Sequence, residues 1–262
     1  AFDRFADFEA AEYAAANALV QYEGMLELSP GNEDALFMLT KAYTGYAFGF
    51  IEDHMEQAED RGDRAGAAYH KQRARTAYKN AIAHGLVLLG AADKGFEAGK
   101  SNEATLDAWL KQHYQDAEDA PNLFWTGYAW ASLTNISKDD AEAVANLYVG
   151  VALVRRSVEL DPSYNAHSGQ IILGGYHART ASAELDEAQR LFEEALTATG
   201  RKFLLAQFTY ANTLACARAD AATYDKLLRE VIAAEDPDPS QRLSNMVAKR
   251  RAGSCRKAMP PV

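Results

Sequence analysis

An all-α fold is what this sequence predicts, and three observations predict it. Apolar residues recur at helical spacing along almost the whole chain: Leu36, Leu39, Tyr43 and Tyr46 in one stretch, Val144, Leu147, Tyr148, Val151, Val154 and Val158 in another, and Leu185, Ala188, Phe192 and Leu196 in a third. Alternating apolar–polar runs of strand type are nearly absent, which argues against doubly wound, barrel and sandwich folds. Helix-ending residues punctuate the pattern at short intervals, with no long linker between them. The expectation is a single domain over residues 1–262, built from about eleven helices.

The elements follow in order. A first helix over 3–28 stops at Pro30-Gly31, and Asn32 is placed to cap a second over 33–58, with Glu33 and Asp34 in its first turn. A third covers 65–90; Gly90, Gly95 and Gly99 then loosen the pattern, so no element is predicted over 91–102. Helices over 103–118 and 121–135 come next, the latter opening at Pro121. Ser137-Lys138-Asp139-Asp140 reads as a capping box, with Asp140 in the usual Glu/Gln place, opening a helix over 139–160. Asp161-Pro162-Ser163 breaks the chain before 164–179. Gly200 separates 184–199 from 202–217, a helix over 220–234 follows, and the Asp236–Ser240 turn with its two prolines precedes the last, 240–256.

Composition bounds the function. The chain has 262 residues, 48% apolar and 24% charged, which excludes wholesale disorder and supplies a core without disulfide or metal. A formal charge of -10 argues against a nucleic-acid partner. No apolar run reaches the roughly 18–20 residues of a membrane span. Cys216 and Cys255 are too few for a disulfide scaffold and are expected to be unpaired thiols. The chain begins at Ala1, as a processed chain or one lacking its front would.

A loose series of a small residue, a bulky one and a third packing residue recurs: Ala18, Tyr22 and Met25; Ala74, Tyr78 and Ala81; Gly150, Val154 and Ser157; Ala188, Phe192 and Ala195. Small residues let two antiparallel helices approach, and the bulky one fills the gap to the next pair. With Leu36, Leu39 and Tyr43 after Pro30, and with ELDPSYNAH (159–167) as an inter-repeat turn, the pattern resembles tetratricopeptide repeats. The bulky residues lie 56, 76 and 38 positions apart, against a period of about 34. The expected architecture is therefore a degenerate tetratricopeptide-like superhelix of helix pairs, the alternative being a plain helical bundle.

Residues 119–175 are more specific. They carry Leu123-Phe124-Trp125-Thr126-Gly127-Tyr128-Ala129-Trp130, then Asn135-Ile136-Ser137-Lys138-Asp139-Asp140, then Glu159 to Tyr164, Ala166-His167 and Leu173-Gly174. In order and spacing these blocks resemble the T component of TRAP transporters, a family of tetratricopeptide-like periplasmic lipoproteins, and the likeness continues over 178–211 and 227–252. The resemblance implies an all-helical periplasmic protein that forms a homotrimer and associates with the transporter's solute-binding protein. It implies a cleft or pore for a small apolar or organic-acid ligand, no cofactor, and membrane attachment only through an N-terminal lipid. The competing reading is a scaffold that assembles an envelope complex without a small ligand.

Candidate ligand- or partner-binding residues are Trp125, Tyr128, Trp130, Asn135, His167 and Tyr176. On a helix, Trp125 and Tyr128 lie about 60° apart and Phe124 and Tyr128 about 40°, so these three share a face, whereas Trp130 lies about 140° from Trp125. The shared face is either the wall of a cleft or inter-repeat packing. Asn135 and Ser137 read first as turn and cap, His167 as a polar group in a cleft or a packed histidine, and Tyr176 as a packed or a lining residue. His167 and His177 have no third ligand at metal spacing, so no metal is expected. Glu52 to Asp60, including Asp53-His54, reads as a solvated face, and Lys249-Arg250-Arg251 with Arg256-Lys257 as cations complementing a helix C-terminus. No nucleophile elbow, CxxC or phosphate-binding glycine loop is present, and no catalytic residue is expected.

Overall fold

The computed structural model describes residues 2–180 and 184–257. Every regular element among them is helical. In chain order these are α1 (Phe8–Leu28), α2 (Glu33–Tyr46), α3 (Glu52–Asp60), α4 (Arg64–Leu88), α5 (Phe96–Gly99), α6 (Glu103–His113), α7 (Ala120–Ile136), α8 (Ala141–Ala145), α9 (Leu147–Leu160), α10 (Tyr164–Arg179), α11 (Leu185–Ala198), α12 (Leu204–Tyr210), α13 (Ala221–Ala233) and α14 (Arg242–Lys257). A π-helical turn, Ala47–Ile51, joins α2 to α3, and a second, Ala211–Ala215, extends α12.

Capping chemistry sets most of the boundaries. Asn32 accepts from the Ala35 amide at 2.8 Å, as its position predicts. The first helix starts later than expected, because Asp7 caps it by accepting from the Ala10 amide at 2.9 Å. The helix predicted over 103–118 ends at His113, where Tyr114 turns extended and its hydroxyl donates to Leu89 O at 2.7 Å. The helix predicted over 139–160 is two, interrupted at Asn146, whose backbone (φ -94°, ψ 7°) is not helical. Its cap is Asp140, which accepts from the Glu142 and Ala143 amides; Ser137 instead closes α7. The glycine-rich stretch 91–102 contains the short α5, entered through Gly95 at φ 72°.

Packing divides the chain into two compact units, Glu12–Pro162 and Ala1–Ala11 with Ser163–Val262. In the first, α4 packs against α2, α3 and α7, and α7 packs against α9, which also holds α6. Ala74, Tyr78, Ala81 and Val154 are fully buried there, and Ser157 nearly so. In the second, α10 packs against α11 and α12, and α12 against α13 and α14, over a core that includes Ala188, Phe192 and Ala195. Three of the four series are thus buried in helix packing. The series on α1 is not: Ala18 and Tyr22 are half-buried and Met25 is exposed.

Glycine decides the closest approach. A Cβ on Gly127 of α7 would lie 2.8 Å from the Gly150 carbonyl oxygen of α9, and one on Gly150 would lie 2.9 Å from the Ala131 nitrogen of α7. Both neighbours are backbone and cannot swing away. Gly150→Ala is therefore expected to lower stability by roughly 1–3 kcal/mol in urea denaturation, through overpacking. Gly24→Ala is the opposite case. It sits inside α1 with no atom within 4 Å of the added methyl, so it should raise stability by up to about 1 kcal/mol through helix propensity.

Candidate functional site

α7 gathers the first cluster. Phe124, Trp125 and Tyr128 touch one another, with ring centroids 5.0, 5.7 and 6.0 Å apart, as the helical arithmetic predicts. Phe48, carried by the π-helical turn, adds its ring 5.5 Å from Tyr128. Lys41 of α2 lies seven residues before Phe48 and so shares its face; its Nζ stands 5.4 Å from the Trp125 centroid, within cation–π range. Phe124 and Trp125 are buried, while Lys41, Phe48 and Tyr128 are half-buried and reach solvent. The result is an aromatic surface with one ammonium beside it.

Trp130 and Asn135 do not join it. Trp130 points the other way, toward Phe96 at 6.4 Å, and packs against two core clusters at once. Asn135 is exposed in the last turn of α7. That end is clamped from α4: Arg75 donates to Ser137 Oγ at 3.0 Å, to Ile136 O at 3.2 Å, and to Asp139.

The same unit holds further polar groups in hydrogen-bonded pairs. Tyr43 donates to Glu23 Oε1 at 2.7 Å, His84 Nε2 lies 3.3 Å from the same oxygen, and the Tyr43 and His84 rings stack at 5.9 Å. Burial, reinforced by Glu23, pushes the Tyr43 phenol up to about 12, so it stays a donor at neutral pH. The run from Glu52 is not a solvated face at its start. Glu52 and Asp53 are each 5% exposed; Tyr78 donates to Glu52, and Gln57 Nε2 donates to Asp53 at 2.6 Å. His54 Nε2 lies 2.8 Å from Glu12 Oε1, and its ring stacks on His70 at 5.3 Å. Apart from Gln57, which is one helical turn from Asp53, the hydrogen-bond partners lie twenty or more residues away in sequence, and no local pattern announces them.

The second unit has its own candidate site at the start of α10. Asn165, Ala166 and His167 are left-handed in succession, at φ 49°, 54° and 60°. For L-residues this conformation costs roughly 1–2 kcal/mol each, least for Asn. Ser168 holds it, its Oγ donating to Asn165 O at 2.5 Å and accepting from Asn165 Nδ2 at 3.2 Å. Strained segments of this kind cluster at binding and switch sites. The turn sets His167 on an open groove of about 540 Å³, with Gln170 from α10 and Arg190, Glu193, Glu194 and Thr197 from α11. Gln170 Nε2 lies 3.3 Å from His167 Nδ1. Arg190 is engaged by Glu187 at 2.5 Å and by Glu194 at 2.5 Å.

Tyr176 is not on this groove; it is half-buried with its ring 5.2 Å from that of His177. His177 pairs with Glu184 at 2.5 Å and does not converge with His167 on a ligand set. Among the described residues no three His, Cys, Asp or Glu gather as a metal site. Cys216 and Cys255 are both free thiols. The basic cluster of α14 is used in packing rather than left to the helix end. Lys249 Nζ donates to Ala234 O at 2.5 Å, Arg250 stands 4.1 Å over the Phe8 ring, and Arg251 is buried. The side chains of Arg256 and Lys257 lie outside the described residues.

A family model described as TRAP transporter T-component matches residues 5–259. Comparison with curated proteins gives no match. Among the described residues no helix is long and apolar enough to cross a membrane.

Two outcomes follow from the geometry. Glycine adopts φ near 54° without penalty, so Ala166→Gly should raise stability by about 1 kcal/mol, and Ala166→Val should lower it, read from urea midpoints. His70 sets a pH dependence. Burial lowers its pKa from the ordinary 6.5, His54 and Arg73 push the same way, and Asp63 and Glu12 oppose them. The fold favours the neutral ring, so this stabilisation is complete above about 6.5 and is lost as pH falls through the lowered value. Urea midpoints measured between about pH 7.5 and 5 should fall less in His70→Gln than in the parent chain.

Proposed function

The chain belongs to the TRAP transporter T-component family, and from that premise we propose that it docks the transporter's solute-binding protein in the periplasm and holds or passes on a small organic or apolar ligand. An accessory role in TRAP transport follows from membership itself. The observation that carries the finer reading is the match over residues 5–259, which takes in both candidate sites. The mechanism is non-covalent. Aromatic side chains supply much of the binding energy at docking sites and ligand walls, and Phe48, Trp125 and Tyr128 beside Lys41 form such a surface. The burial of Ala74, Tyr78 and Ala81 supports tetratricopeptide-like packing. A homotrimer is proposed with it, because linked copies raise the effective concentration of each docking site. Any membrane attachment is assigned to an N-terminal lipid.

One observation favours the second reading, a scaffold without small ligand. α1 turns Tyr13, Val20 and Leu28 outward, 74%, 73% and 90% exposed, and Tyr13 and Val20 lie within about 20° of one another around the helix. Such a face suits a protein partner and needs no small ligand to do so.

A native mass spectrum of the protein from its own source tests the oligomer. A trimer, with the solute-binding protein or a small adduct, is the expected result; a bare monomer would overturn the trimer and favour the scaffold. Calorimetry against the purified solute-binding protein tests the surface. Trp125→Ala should weaken docking or ligand binding by about 2 kcal/mol or more with helicity unchanged. Lost helicity with equal affinity would make Trp125 a packing residue only.

A further inference from the structure

The two cysteines, far apart in sequence, share a neighbour in the second unit. Cys255 of α14 sits against Asn212, whose Nδ2 donates to Sγ at 3.6 Å and whose Oδ1 accepts from the thiol at 3.8 Å. Asn212 belongs to the π-helical turn that extends α12, and Cys216 follows it by four positions on the same helical run. Four positions return to nearly the same face, roughly 5 Å further along the axis. Cys216 therefore stands about one helical turn from the residue that holds Cys255. Tyr224 of α13 marks the same neighbourhood. Burial, then charge on Cys255 and on Cys216, pushes its phenol up to about 12, so both sulfurs lie near one ring. The environments of the two thiols differ. Cys216 is exposed, and Cys255 is half-buried against the apolar core. Burial holds the Cys216 thiol above its ordinary value; Arg179, which donates to Asn212 O at 3.3 Å, pulls the other way, and Cys255 adds to the rise. At rest the pair is protonated and reduced, with one sulfur open to solvent and the other a turn behind it. Disulfide exchange needs that order: an accessible thiol that attacks first and a resolving thiol beside it.

We propose that Cys216 and Cys255 are a redox pair that closes to a disulfide when the chain meets a disulfide oxidant, tying α14 to the end of α12. The Cys216 thiolate attacks the oxidant's S–S bond, forming a mixed disulfide and expelling one thiolate. Cys255, deprotonated in its turn, attacks Cys216 Sγ, forming the Cys216–Cys255 bond and expelling the second thiolate. The two cysteine thiols lose two electrons to the oxidant's disulfide, and their two protons end on the two thiols released. The bond closes the loop from 216 to 255, which takes in all of α13, and so constrains the unfolded chain. The pairing is independent of docking and of any small ligand.

The test exposes the full native chain to excess oxidised glutathione at about pH 8.5, where thiolate is available, and reads the intact mass and an unreduced peptide map. The expected product has lost two hydrogens, carries no glutathione, and joins the peptides that contain Cys216 and Cys255. Cys255→Ser should stop at one glutathione adduct, on Cys216. Closure should raise the melting temperature by about 5 °C or more, and dithiothreitol should reverse the shift. An unchanged mass, two glutathione adducts on the parent chain, closure seen only in urea, or a dimer linked through Cys216 would each overturn the pairing. A closed bond that leaves the melting temperature unchanged or lowers it would overturn the tie between α12 and α14.

Discussion

The backbones of α7 and α9 meet through Gly127 and Gly150, and much of the first unit depends on that contact. No side chain fits along the seam, because the nearest atoms on each side include main chain. The large residues of α7 are therefore displaced to its flanks. Relative to Gly127, Phe124 and Tyr128 lie about 60° and 100° to one side and Trp130 about 60° to the other. One flank becomes the aromatic surface beside Lys41 and Phe48; the other, through Trp130, joins the two core clusters. α4 meets the same helix closely as well, since a side chain on Gly85 would collide with Thr126. A helix so enclosed has little choice of rotation or depth, which is how a rigid aromatic surface comes from side chains that have soft rotamers elsewhere.

Helix class, helix order and most boundaries were legible because they are local. Asn32, Gly200 and the Asp161-Pro162-Ser163 break act within a turn of their own position. The shared face of Phe124, Trp125 and Tyr128 was legible for the same reason: helical geometry places them. What failed was whatever depends on a distant partner. Glu52 and Asp53 look solvated in a run of acids, yet Tyr78 reaches Glu52 across twenty-six positions. Arg251 looks like a terminal cation and is buried. Ser137 looks like a cap for the following helix, but Arg75 takes its hydroxyl from sixty-two positions away and Asp140 does the capping.

The groove at His167 was half legible. The Ala166-His167 block was visible as a motif, and His167 was a candidate, but Asn165-Ala166-His167 does not suggest three left-handed residues in succession, because alanine disfavours that conformation and non-glycine residues adopt it singly. Gln170 and Glu193 are ordinary residue types on amphipathic helices, and the packing of α10 against α11 is what brings them to one groove. The candidate sites in this chain thus owe less to rare residue types than to unusual backbone, at the left-handed turn and at the π-helical turn Ala47–Ile51.

The π-helical turn Ala47–Ile51 has a consequence for chain length. A π turn closes its hydrogen bond over one more residue than an α turn, and one residue is worth about 100° of rotation. Phe48 meets Tyr128, and Glu52 meets Tyr78, in a register that includes that additional residue. The wider turn absorbs that residue by rotating less per position, so deleting one residue between Ala47 and Ile51 and returning to regular α geometry would leave α3, with Glu52 and Asp53, facing as it does now. A further insertion would have no such turn left to absorb it and would swing α3 by about 100°. The segment should therefore accept the loss of one residue more readily than the gain of one.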